Sequence, residues 1–199
     1  MGLAGGLNGK RRVLDRQLLV LKELVQDPRG MGALCPSSPA LADEMARAVS
    51  TRAAENDVFM EIGAGTGPVT AALLRRGVPP GRLVVIEKSP ALAECLASSF
   101  PQVKVCCCGA ENMSGCLSGG ERVRAIVSSL PFRSLPKGVS LSIMSEVERM
   151  LSPWGIFVQF TYAIVGEMPF IPRGFKKLRS RIVLFNVPPA KVEVYTKPR

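Results

Sequence analysis

Apolar positions along this chain follow two different periods. From residue 10 to residue 26 they recur at helical spacing. Leu14, Leu18, Leu21 and Val25 share one face, with Val13, Val20 and Leu24 beside it and Lys10, Arg11, Arg12, Arg16 and Lys22 largely elsewhere. The spacing predicts an amphipathic basic helix. Such a face either packs on a core or lies among lipid headgroups, and the pattern alone leaves both open. Asp27-Pro28 ends the helix. Ser38, followed by Pro39, caps a second helix expected to run to about Ala54. Beyond it, short apolar runs alternate with helical patterns. Strands are expected over 57–62, 82–86, 103–108, 125–128 and 156–162, and helices over 69–76, 91–100 and 139–151. That alternation predicts a parallel sheet with helices on both faces. Two last strands, 181–185 and 191–195, are joined by "NVPPA" and read as a closing hairpin. The organisation is thus a helical extension over 1–54 and an α/β domain over 55–199.

Composition narrows the chemistry. With 199 residues, 47% of them hydrophobic, the chain is long enough for one well-buried domain. Met1 to Gly9 is glycine-rich and too weakly apolar for a secretory signal. No apolar run reaches the roughly 20 residues of a membrane span. A cytoplasmic protein is expected, peripheral on the inner face of the membrane if it meets lipid. The chain has no histidine, which removes histidine-based acid–base and triad chemistry. Its six cysteines include no CxxC pair, and Cys106, Cys107 and Cys108 alternate sides of a strand. Reduced thiols and no metal site are therefore expected.

The net charge of +10 sits at the two ends. Residues 1 to 30 carry six Lys or Arg against three acids, and residues 173 to 199 carry eight against one. The intervening stretch has twelve of each. Basic ends around a neutral middle point to a polyanionic partner, nucleic acid or an anionic membrane.

The densest chemical signal is "DVFMEIGAGTGPVT", an apolar strand running into Gly63, Gly65 and Gly67 with a helix directly after. Glycines there let the backbone turn sharply and approach a ligand at the carboxyl end of a strand. Glu87 ends the next strand, 20 residues beyond Gly67, where a carboxylate can accept from both ribose hydroxyls. Together they predict a nucleoside-cofactor site. The glycine spacing is G-x-G-x-G, tighter than the dinucleotide pattern, and Glu61 precedes it. This stretch resembles the first motif of the class I S-adenosylmethionine methyltransferases.

Further along, "LKELVQDPRGMGALCPSS", "GVPPGRLVVIEKSPAL", "IVSSLPFRSLP", "GIFVQFTY" and "NVPPAKVEVY" follow in order. With the glycine loop, they resemble the bacterial phospholipid N-methyltransferases. The resemblance implies a Rossmann-like α/β fold: seven strands, the last antiparallel, behind an N-terminal membrane-associating helix. It implies S-adenosylmethionine as cofactor, held by Glu61, Gly63, Ala64, Gly65, Thr66, Gly67, Glu87, Lys88, Ala110, Glu111 and Ser128. It implies stepwise methylation of phosphatidylethanolamine towards phosphatidylcholine on an anionic membrane surface, with Ser129, Phe132 and Tyr162 around the amine. Arg173, Lys176 and Lys177 are the candidates for headgroup phosphates. Two positions depart from the pattern. Gly109 stands where an adenine-contacting Asp is usual, Glu111 being the nearby carboxylate, and Arg124 stands where an acid is common.

Methyl transfer from a sulfonium to an amine is an in-line displacement that needs a nitrogen lone pair. The site must therefore favour the neutral amine, by desolvation and by repulsion from the sulfonium. Most of the rate is expected to come from holding nitrogen and methyl carbon in line. Ser128 and Ser129 offer oxygens to the amine, Pro131 stiffens the turn and Phe132 forms a wall where cation–π attraction suits a methylated ammonium. Two rival readings remain. Ribosomal RNA adenine dimethyltransferases carry Asn-Leu-Pro-Tyr where this chain has Ser129-Leu130-Pro131-Phe132, and Ser129 cannot span a planar amine as that Asn does. The sequence ends at Arg199, directly after the closing strand, so their appended RNA-binding domain is not expected and nucleic acid is the weaker partner. The other rival is a non-catalytic membrane-binding module on the same scaffold.

Overall fold

The computed structural model describes residues 37–52 and 54–199. The predicted helix over 10–26 lies outside them. Seven strands form a single sheet: β1 (Asp57–Ile62), β2 (Leu83–Glu87), β3 (Lys104–Cys107), β4 (Arg122–Ser128), β5 (Leu151–Thr161), β6 (Lys176–Val183) and β7 (Ala190–Thr196). Their order is β3-β2-β1-β4-β5-β7-β6. The first five strands run parallel, and β7 is antiparallel to both neighbours. This is the seven-stranded Rossmann-like sheet expected from the sequence. All six residues of β1 are buried, as a central strand covered on both faces requires.

Four α-helices and a 3-10 segment cover the sheet: α1 (Pro39–Arg47), α2 (Pro68–Arg75), α3 (Pro90–Ser99), the segment Ala110–Cys116, and α4 (Lys137–Met150). Alternation along β1 sends its side chains to two cores. Phe59 joins Leu41, Met45, Val69, Leu73 and Leu96 under the first three helices. Val58, Met60 and Ile62 join Met113, Ile143, Val147 and Phe157 on the α4 side. Helix α1 begins as expected, with Ser38 Oγ accepting from the Leu41 N–H at 3.2 Å. Its buried Glu44 ties it to β6 through Arg179 at 2.9 Å and Arg181 at 3.6 Å.

Three expectations need correction. Helix α1 stops at Arg47 rather than near Ala54. Val49 turns into the core, and the Ala54 backbone is engaged elsewhere: its N–H donates to Asp57 Oδ2 at 2.8 Å and its carbonyl accepts from Arg82 at 2.6 Å. The closing hairpin starts at Lys176, five residues before the expected 181. Its first strand is an exposed edge, where charge is tolerated and serves to block further pairing, so "KKLRSR" folds as strand although it reads as loop. Strand β5 starts at Leu151 directly after α4, ahead of the expected 156. A left-handed Trp154 (φ 62°) and a register shift opposite Val123/Ala125 let Pro153 into the strand.

Candidate active site

The parallel strands end together on one edge of the sheet. Ile62 pairs with Ile86 on one side and Ser128 on the other, and Ser128 pairs with Gln159. The glycine loop leaves β1 at this edge. Gly63 adopts φ +71°, and its N–H donates to the Ile86 carbonyl at 2.9 Å. A Cβ there would meet Leu130 Cδ2 and lie 2.9 Å from Leu130 Cγ, so the loop and the "SSLPF" turn touch and only glycine fits. Gly65, at φ +59°, turns its N–H to Glu87 Oε2 at 2.9 Å, with open space beyond its Cα. Ser89 N–H donates to Glu87 Oε1 at 2.9 Å. Each Glu87 oxygen therefore holds one backbone donor and keeps a lone pair. That leaves the carboxylate able to accept from a pair of vicinal hydroxyls while bracing the loop. Ala64 is buried, Thr66 is exposed, and Gly67 caps α2 with Pro68 at its first position. Lys88 is exposed.

Glu61 sits beneath the loop, wholly buried, and accepts from Thr70 Oγ1 at 2.6 Å. Its other oxygen, Oε1, has no hydrogen-bond partner. Burial pushes the carboxyl up to about 7, the bonds from Thr70 pulling against it and the Glu87 charge adding to it. A carboxylate with one oxygen unused, a glycine turn with open space above it and a half-engaged Glu87 fit a ligand carrying an ammonium and a ribose.

The end of β3 explains one departure from the family pattern. A Cβ at Gly109 would fall within 2.6 Å of Glu111 Cδ and Oε2. The Glu111 carboxylate thus occupies the space a side chain at 109 would fill, delivered from the 3-10 segment two residues later. Ala110 beside it is buried. Arg124, the other departure, lies near the opposite edge and pairs with buried Asp57 at 3.6 Å, alongside Arg122 at 2.9 Å. It shapes the floor of the sheet and not the site. Cys108 and Cys116, their sulfurs 3.5 Å apart, pack behind Ala110. Burial pushes both thiols up, which makes them inert packing groups rather than nucleophiles. Among the described residues, no three His, Cys, Asp or Glu side chains are grouped to hold a metal ion.

The residues expected around the amine are not all brought together. Ser128 Oγ accepts from the Leu130 N–H at 3.3 Å, and the Ser129 N–H donates to Ile62 at 3.0 Å, so the turn is pinned to β1. Phe132 is buried and meets Phe157 edge-on at 6.5 Å in the α4-side core. Tyr162 packs edge-on against Phe160, 5.3 Å away, beside the core on the other face. Lys177 is engaged by Glu193 at 3.1 Å, and Lys176 pairs with Thr196 near the far edge.

One residue escaped the sequence reading. Gln159, buried in β5, donates through Nε2 to the Leu130 carbonyl at 2.8 Å and to the Phe160 carbonyl at 2.7 Å. Its Oε1 is buried with no hydrogen-bond partner. Nothing in "FVQFTY" distinguished it from an ordinary strand polar residue. Only the pairing of β4 with β5 puts it under the turn.

The Glu61 pKa carries a sign. A carboxyl at about 7 in the folded protein and near 4.5 when exposed contributes stability that is full below about pH 4.5 and lost as pH rises through 7. The change is on the order of 3 kcal/mol. Denaturant midpoints of the ligand-free protein are expected to fall between pH 5 and 7.5 relative to those of Glu61→Gln. Parallel profiles for the two proteins would show that Glu61 titrates normally.

No family model matches the chain. A curated relative, an ornithine lipid N-methyltransferase of Singulisphaera acidiphila, is 31% identical over 182 residues, covering 86% of this chain and 91% of the relative. Solved structures share the fold, among them two N-methyltransferases. The 1,6-didemethyltoxoflavin N1-methyltransferase of Burkholderia thailandensis, bound to its substrate and S-adenosylhomocysteine, aligns with TM-score 0.62 at 17% identity over 100% of this chain and 93% of that one. The N-methyltransferase NodS of Bradyrhizobium japonicum, bound to S-adenosylhomocysteine, aligns with TM-score 0.62 at 14% identity over 79% and 86%. With a glycine loop, acid and strand order of this kind, and a near full-length relative above 30% identity, the chain belongs to the family of that Singulisphaera enzyme, within the class I S-adenosylmethionine-dependent methyltransferases.

Proposed function

We propose that the protein methylates the primary amine of a membrane-lipid headgroup, working as a peripheral enzyme on the inner face of the cytoplasmic membrane. The observation that carries this reading is the near full-length kinship with a lipid N-methyltransferase. No described helix is long and apolar enough to cross a membrane. The motif set around Ser129–Phe132 favours phosphatidylethanolamine, methylated stepwise towards phosphatidylcholine. The relative's name favours a second reading, ornithine lipid, which presents the same kind of terminal amine beside an anion.

Bound at the glycine loop, S-adenosylmethionine supplies a methyl carbon made electrophilic by its sulfonium. Glu87 holds Gly65 and offers its remaining lone pairs to the ribose, Glu61 Oε1 offers an acceptor beneath the loop, and Glu111 stands at the adenine side. Ser129 and Gln159 Oε1 are the acceptors at the turn, suited to take an N–H of the incoming amine and aim its lone pair. Leu130 shields that nitrogen from water, which favours the neutral amine. Gln159 also fixes the Leu130 carbonyl, so it positions the turn as well as the amine.

Radiolabelled S-adenosylmethionine is to be offered vesicles of phosphatidylethanolamine with phosphatidylglycerol, vesicles of ornithine lipid, and structured ribosomal RNA. Label in a lipid is expected, and chromatography names the lipid and counts the methyls. Label in RNA alone would overturn the reading. For Gln159→Leu, the loss of one buried hydrogen-bonding group predicts a kcat about tenfold lower, with affinity for S-adenosylhomocysteine within about twofold. Equal losses in both would make Gln159 a general support of the fold.

A further inference from the structure

The β6–β7 turn gathers three strongly exposed apolar side chains. Phe185 is 88% exposed, Val187 83% and Leu184 72%. Their place in the sheet is specific. Thr161 at the end of β5 pairs with Lys191, and Val183 pairs with Ala190. The turn therefore projects from the same edge that carries the glycine loop, Glu87 and Ser129. The neighbouring loop adds Val165, 87% exposed, tied to the hairpin by Lys191 Nζ donating to the Gly166 carbonyl at 2.7 Å.

The turn is held rather than loose. Buried Asn186 accepts from the Ser38 N–H at 3.0 Å and donates to the Pro188 carbonyl at 2.7 Å. One polar side chain thus clamps the turn to the start of α1 while its two neighbours point Phe185 and Val187 into solvent. A soluble surface rarely fixes aromatic and branched side chains outward in this way unless something covers them. Charge identifies the cover. The cations of the hairpin strands are engaged, Arg179 and Arg181 by Glu44 and Lys177 and Lys191 by Glu193, whereas Lys88 after β2 and Arg133 after β4 are exposed on the active edge. At the active edge, Arg133 donates to the Glu167 carbonyl at 2.8 Å, a bond that leaves its charge intact. Apolar tips on the edge that also exposes Lys88 and Arg133 match an anionic bilayer surface.

We propose that the β6–β7 turn is a membrane contact: Phe185, Val187 and Leu184 enter the headgroup region of an anionic bilayer and press the carboxyl edge of the sheet against the lipid. This deepens the lipid-methylation reading and takes its purpose from it. A headgroup amine then reaches Ser129 without leaving the membrane plane.

The test uses the full chain and vesicles of phosphatidylethanolamine with phosphatidylglycerol. The double variant Phe185→Ser/Val187→Ser is expected to sediment with vesicles at least about tenfold more weakly. Its binding of S-adenosylhomocysteine and its activity on detergent-dispersed lipid should stay within about twofold. Leu178→Ser, an exposed residue on β6 towards the far edge, should leave sedimentation unchanged. Trp154 is the sole tryptophan and lies at that far edge, so Phe185→Trp in a Trp154→Phe background reports the turn alone. Its emission should shift blue on adding vesicles and be quenched by brominated lipid. Undiminished sedimentation of the double variant, or unshifted emission from the Phe185→Trp variant, overturns the proposal. So does a lowered melting temperature with sedimentation intact, which would mean that residues 1–36 or a second copy cover the turn. Vesicle binding is read without catalysis, so an enzyme that labels no lipid would sink the substrate reading and leave this one standing on its own result.

Discussion

The contact between Gly63 and Leu130 sets the rest of the site. Two loops from neighbouring strands meet where no Cβ fits, with the backbone at a positive φ that only glycine adopts freely. Because they touch, the cofactor loop after β1 and the "SSLPF" turn after β4 form one continuous wall. Glu87 braces that wall from β2 through the Gly65 N–H, and Gln159 braces it from β5 through the Leu130 carbonyl. Four parallel strands thereby hold two loops in fixed relation. An in-line methyl transfer needs that, since its rate comes mainly from placement.

The β6–β7 hairpin extends the sheet past β5, and its turn reaches the solvent on the active side, clamped by Asn186 to the first helix. Glu44 reinforces the junction with two arginines of the edge strand. Helix α1 thus joins the hairpin to the helical layer that packs beside the glycine loop.

Much of this was legible in the sequence, and the boundary of what was has physical causes. Strand β1, the glycine loop and Glu87 were readable because a fully buried strand, a sharp turn and a strand-end acid each leave a local signature. Ser38 was readable as a cap for the same reason. The end of α1 was not, because it depends on where Ala54 finds partners, and those are Asp57 and Arg82. The charged start of β6 reads as loop because an edge strand need not alternate. Gln159 became visible only once β4 and β5 were paired. Phe132 and Tyr162, grouped by proximity to strand ends, belong to cores on opposite faces, a distinction set by side-chain alternation beyond the motif.

Both departures from the family pattern acquire reasons of this long-range kind. Arg124 answers a buried Asp57 at the far edge, away from the cofactor loop. Gly109 makes room for the Glu111 carboxylate, which fills the space a side chain at 109 would take. The central claim is that Glu87 and Glu111 together form the nucleoside end of the site. Calorimetric titration of S-adenosylhomocysteine into the native protein, Glu87→Ala and Glu111→Ala tests it most directly. The account predicts affinity about a hundredfold weaker without Glu87 and about tenfold weaker without Glu111, as loss of hydrogen bonds to charged groups requires. Native affinity in Glu87→Ala would contradict it.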